Sequence, residues 1–183
     1  MPQLAATPVP DAFETRTNAT FGALMWALSR PGTVQDLPSD DPTLIAEALI
    51  DRECRVWCAD PVLSTRIARF GAQLVPVALA DHVFLPLADM AALDLVAQVP
   101  VGSELYPDAG ATIIAPAGFG QGQRLCLTGP GIETKAVIAL DGIDPGFWPL
   151  RSARCRYPIG FDLFLTCGAQ VMGLPRSTRI EVL

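Results

Sequence analysis

A chain of 183 residues, 50% hydrophobic and 17% charged, is long enough for one good core and too apolar to be disordered. A net charge of −6 argues against general nucleic-acid binding, and no apolar run reaches the roughly 18 residues a membrane span needs. Five cysteines, with no basic and apolar leader ahead of them, point to reduced thiols in a cytoplasmic protein.

Residues 1–15 carry three prolines and little periodicity, and read as a tail before a single α/β domain over 16–183. In TNATFGALMWALSRPG, Phe21, Leu24, Met25 and Leu28 fall at i, i+3, i+4 and i+7, which predicts a helix stopped by Pro31-Gly32. Asp41 and Pro42 open a second helix running to about Asp51. RVWC (55–58) reads as a strand, and DPVLSTRIARFG repeats the Asp-Pro entry before ending at Gly71. HVFLPL is a short strand and DMAALDLVAQ a helix. GATIIAP and RLCLTGPG read as the two arms of a hairpin, with the glycine-rich AGFGQGQ as the turn between them. KAVIAL is a further strand, DPGFWPLRSARC a helix, and GFDLFLTCG with AQVMGLPRSTRIEV an antiparallel pair or meander. Helices that interleave with strands early, and strands that cluster late, suggest a mixed sheet with helices packed on it.

Few residues offer chemistry. His82 is the only histidine and has no Cys or Glu beside it at ligand spacing, so a structural or surface role is expected. Cys54 and Cys58 lie roughly 13 Å apart on an extended segment, too far to share one zinc ion. GFGQGQ lacks the third glycine of a dinucleotide loop and joins strand to strand. LTGPG reads as a tight turn, because Pro130 removes an amide that a phosphate nest would use. Lys135 is the only lysine, and nothing around it in ETKAVIAL points to a Schiff-base role. No metal site is expected.

GFDLFLTCG (161–169) tempts with an aspartate and a cysteine. Alternation sends Phe161, Leu163, Leu165 and Cys167 to one face and Asp162, Phe164 and Thr166 to the other. Cys167 then reads as a small buried hydrophobe. Asp162 needs water or a cationic partner, and Arg176 or Arg179 on the next strand is placed to supply a structural ion pair.

The blocks YPIGFDLFLTCGAQVMGLPRSTRIEV (157–182), RLCLTGPGI (124–132), YPDAGATII (106–114) and ALSRPGTV (27–34) together resemble PhnH, the family of H subunits of the bacterial carbon-phosphorus lyase core complex. The blocks occur in the family's order and span nearly the whole chain. One position departs: the family tends to have arginine directly after the phenylalanine of the first helix, where this chain has Gly22. The resemblance implies a three-layer αβα fold, similar to the large domain of pyridoxal-phosphate-dependent transferases but without the cofactor or its lysine. It implies assembly with subunits G, I and J, and a homodimer when alone. Those subunits together displace the base from a nucleoside triphosphate and attach an alkylphosphonate at the ribose C1'. Subunit J later breaks the carbon-phosphorus bond by radical chemistry with an iron-sulfur cluster and S-adenosylmethionine. The resemblance carries no catalytic residue onto this chain.

Two other readings stand beside a subunit role. One is a small-anion protein, binding a phosphonate or nucleotide phosphate in an arginine-lined cleft. Residues 1–123 hold 14 acids against 6 arginines, whereas 124–183 hold 5 acids against 6 arginines and one lysine. Such a cleft is therefore expected in the last third, from Arg124, Arg176 and Arg179, with Thr128 or Thr178 as hydroxyl donors. The other is an orphan scaffold with different partners.

Overall fold

The computed structural model describes residues 9–183. Helix α1 (Ala12–Ser29) begins inside the segment read as a tail, whose first eight residues lie outside the described ones. The cause is a capping box: Asp11 accepts from the Glu14 amide at 2.7 Å while Glu14 accepts from the Asp11 amide at 3.0 Å. After it come β1 (Val34–Asp36), α2 (Thr43–Leu49), β2 (Arg55–Cys58), α3 (Pro61–Ala68), β3 (Gln73–Leu74), β4 (His82–Phe84) and α4 (Met90–Val96). The second half holds β5 (Thr112–Pro116), β6 (Gly118–Thr128), β7 (Ala136–Asp141), α5 (Phe147–Arg154), β8 (Asp162–Cys167), β9 (Gln170–Leu174) and β10 (Arg179–Val182). The Asp-Pro entry of α3 works as expected, Asp60 capping it by accepting from Val62; at α2 the cap position falls on Pro42, one residue later than expected, and Asp41 accepts from the Thr43 amide.

A seven-stranded mixed sheet runs in the order β1-β9-β8-β5-β4-β2-β3. β8, β5, β4, β2 and β3 are parallel, while β9 runs antiparallel to both β8 and β1. One face of the sheet packs on α1, α2 and α3, through Phe84, Ile114, Phe164 and Val171. The other face, with Val83, Ile113, Leu163, Leu165 and Met172, packs on α4 and α5. It also packs on a second, three-stranded sheet in the order β10-β6-β7, which sends Leu125, Leu127 and Leu140 into the same core. The chain is thus α/β with a mixed central sheet, and a small antiparallel sheet shares one outer layer with helices.

Three further expectations change. GATIIAP and RLCLTGPG do not form a hairpin: they belong to different sheets as β5 and β6. The glycine-rich stretch is the bent first half of β6, whose register against β7 shifts between Phe119 and Gln123. Ile113, Ile114 and Ala115 are all buried, so β5 suits a place between parallel neighbours β4 and β8. Secondly, AQVMGLPRSTRIEV is two strands. β9 returns against β8 through Gly168-Ala169, and then β10 crosses to the second sheet, pairing with β6.

The third change concerns the face of α1. Thr20, Leu24 and Ala27 are buried, whereas Phe21 and Met25 are about half exposed. The reason lies in β9. A Cβ on Gly173 would collide with the backbone of Ala27 and Leu28, so helix and strand touch nearly backbone to backbone. Only a small side chain, Ala27, fits at the crossing itself; Leu24 stays buried a turn away, while Phe21 and Met25 turn outward.

Candidate functional site

Phe161 and Leu163 point into one core and Phe164 into the other, so β8 alternates between two buried faces. Asp162 opens this strand and meets Arg176, which lies between β9 and β10. The Arg176 amide donates to Oδ1 at 2.8 Å, Nε to both oxygens at 3.2 Å, and Nη2 to Oδ2 at 2.7 Å. Nη1 donates to the Pro107 carbonyl and Nη2 also reaches that of Gly110 at 3.4 Å. A Cβ on Gly110 would clash with the Gly160 carbonyl and with the Arg176 guanidinium, so the glycine admits both. Arg176 is therefore a staple, its guanidinium tied to one carboxylate and two carbonyls.

Beside this staple, α5 and the start of β10 wall a cleft of about 580 Å³. Its lining includes Arg151, Arg156, Arg176 and Arg179 and, among the described residues, no acidic one. Arg151 comes from α5 and is only 3% exposed. Its Nη1 donates to Thr178 at 3.1 Å, and its Nη2 to Pro175 at 2.8 Å and Leu174 at 3.4 Å, all to carbonyls. Burial pushes its pKa down, opposed by Cys155 and Asp162 nearby. Arg156 and Arg179 are exposed and make no ion pair among the described residues. Three buried donors in the lining have no acceptor among those residues: Arg151 Nε, Trp148 Nε1 and Thr178 Oγ1.

A second hollow of about 410 Å³, lined by Thr128, Gly129, Pro130, Tyr157, Ser177 and Arg179, adjoins the cleft and shares its last three residues. Strand pairing sets Thr128 directly opposite Arg179. The LTGPG segment closes on itself, the Ile132 amide donating to the Gly129 carbonyl at 3.2 Å, which leaves that amide no role toward a ligand.

Of the residues singled out from the sequence, Arg176, Thr178 and Arg179 line the cleft and Thr128 its neighbour. Arg124 does not join them. It is exposed on β6 opposite Ala139, toward the other end of the β6–β10 pairing from Thr128. Sequence reasoning missed Arg151, Arg156 and Trp148. The signal was present in WPLRSARCRY (148–157), where Trp148, Arg151 and Cys155 recur at helical spacing.

Other chemistry-bearing residues stand apart. Lys135 is exposed between β6 and β7. His82 opens β4, and its Nδ1 is buried without a partner among the described residues. Burial pushes its pKa down against the pull of Asp81 and Asp51. Among the described residues no three His, Cys, Asp or Glu side chains are grouped to hold a metal, and no helix is long and apolar enough to cross a membrane.

The family described as bacterial phosphonate metabolism protein (PhnH) matches residues 11–181. The chain belongs to the PhnH family. A PhnH relative of Stutzerimonas stutzeri, named as the C-P lyase subunit protein HtxG, is 37% identical over 191 residues, covering 98% of this chain and 95% of the relative. Subunit PhnH of the alpha-D-ribose 1-methylphosphonate 5-triphosphate synthase of Rhizobium meliloti (strain 1021) is 31% identical over 186 residues, covering 89% of each. These names support a subunit role in carbon-phosphorus lyase for the present PhnH chain.

The blocks that carry the resemblance meet in two places. YPDAGATII, the start of β8 and LPR converge on the Arg176 staple, through Pro107, Gly110 and Asp162. ALSRPGTV meets RLCLTGPGI and β9, since a Cβ on Gly131 would strike the Ser29 carbonyl and one on Gly173 the Ala27 backbone.

Proposed function

We propose that this PhnH chain serves as the H subunit of a cytoplasmic carbon-phosphorus lyase core complex. There it assembles with subunits G, I and J and supports transfer of an alkylphosphonate to the ribose C1' of a nucleoside triphosphate. Alone it forms a homodimer. The observation that carries the reading is likeness over 98% and 89% of the chain to two relatives that are themselves named as subunits of such machinery. Phe21 and Met25, one turn apart and turned outward on α1, support it as apolar surface for a partner subunit. We propose further that the fold is that of the large domain of pyridoxal-phosphate-dependent transferases put to use without the cofactor. The missing cofactor, though not the fold itself, is supported by the only lysine, which stands exposed on a loop outside the cleft.

Copurification tests the subunit reading. The tagged chain, expressed in its host under phosphonate growth, should bring down G, I and J in equal amounts. Recovery of the tagged chain without them would overturn the reading.

A further inference from the structure

We propose that the cleft between α5 and β10 is a binding site for the triphosphate of a ribose 5-triphosphate compound, with the sugar end lying in the adjoining hollow. The inference rests on the subunit reading for the identity of the compound, and on the cleft itself for the triphosphate.

The lining is made of donors and cations. Among the described residues four arginines line it and no carboxylate does, and Asp162, the acid bonded to one of them, is committed to Arg176. Arg151 is the decisive residue. Its charge is buried and its hydrogen bonds among the described residues go to carbonyls alone; the acid nearby, Asp162, is bonded to Arg176, and a buried cation is costly unless an anion compensates it. Arg156 and Arg179 extend the same charge to the cleft's surface. The unpartnered hydrogen-bonding groups, Arg151 Nε, Trp148 Nε1 and Thr178 Oγ1, are all able to donate. A ligand that offers only acceptors and several negative charges answers each of these features, and a phosphate chain is such a ligand.

Size and shape choose among phosphates. A cleft of about 580 Å³ is far larger than one tetrahedral anion needs, and it continues into the hollow of about 410 Å³ beside Thr128. That hollow carries Arg179 as its only charged residue, which suits a sugar. Tyr157, 76% exposed at the junction, offers a ring face to the neutral part of the ligand. The apolar hollow at the ends of β4 and β5, about 200 Å³, is no rival for an anion. Its one charged residue is Asp60, already committed to capping α3.

Calorimetric titration of the full chain with ATP, inorganic tripolyphosphate, inorganic phosphate and methylphosphonate tests the site. ATP and tripolyphosphate are expected to bind one per chain, at least about tenfold more tightly than phosphate or methylphosphonate. ATP binding tighter than tripolyphosphate assigns the hollow to the sugar. The exposed pair R156Q/R179Q should weaken ATP about tenfold or more, while R52Q/R69Q, an equal charge change on the α2–α3 side, leaves it unchanged. T178V removes an unpartnered hydroxyl, so it should weaken ATP without lowering the melting temperature of the free chain. No heat from either triphosphate in a folded sample overturns the proposal. An equal loss in R52Q/R69Q also overturns it, by showing diffuse attraction. Copurification of R156Q/R179Q with G, I and J separates the two readings: retained partners with lost ATP binding leave the subunit role standing.

Discussion

Asp162 and Arg176 show how much one pair can hold. The carboxylate receives a backbone amide and a two-pronged guanidinium, and the same guanidinium ties down the carbonyls of Pro107 and Gly110. The side chains keep 21% and 15% exposure, so water screens the pair in part and the energy is below that of a dry ion pair. We predict that Asp162→Asn costs about 2 kcal/mol in urea unfolding. Arg176→Lys should cost a similar amount, because an ammonium cannot bridge carboxylate and carbonyls in one plane. Wild-type stability in either variant would sink the staple. Gly173 acts through absence: with a Cβ meeting the backbone of α1, Gly173→Ala must lift the helix. That should cost about 3 kcal/mol, read as a lowered urea midpoint with unchanged slope.

At the scale of elements, α1 was legible in its existence and not in its face. The apolar spacing of Phe21, Leu24, Met25 and Leu28 predicted a helix correctly, yet the side laid on the sheet runs through Thr20, Leu24 and Ala27. Nothing local could show this, because the constraint is a glycine nearly 150 residues later in the chain. Strand β8 was legible on both faces, since its alternation is matched by a core on each side. The β5–β6 hairpin failed for a related reason. Pairing follows two-sided burial, which places β5 between β4 and β8, and adjacency in the chain does not decide it. Gly22 is half-buried on α1, yet a Cβ there would have nothing within 4 Å. The first carbon of a side chain there would meet no obstacle. Gly22→Ala should therefore stabilise the chain by about 0.5–1 kcal/mol, visible as a higher melting temperature. A lower one would mean that the position has a contact in the free protein.

For the whole molecule, the charge imbalance along the chain located the arginine cleft in the right third, and three of its lining residues were named from the sequence. Arg151 and Trp148 were not, because their place depends on α5 packing against a strand that crosses between sheets. Global stability should respond to pH through His82. Its folded pKa lies below the ordinary 6.5, so the unfolded chain binds the proton more readily. Its contribution is whole above pH 6.5 and is lost as pH falls through its lower folded value. The lowered carboxyls of Asp41, Asp51 and Asp81 act in the same sense, but below their ordinary 3.8. Between pH 7 and 5 the wild type should thus lose stability that His82→Gln does not; parallel curves for the two proteins would refute this. The crossing of β10 also has a consequence for synthesis. A chain that has grown only to β9 owns every strand of the large sheet, yet the wall opposite α5 is still missing. The arginine cleft is the last part of the molecule to come into being, and an empty one is the first mark of a chain cut short.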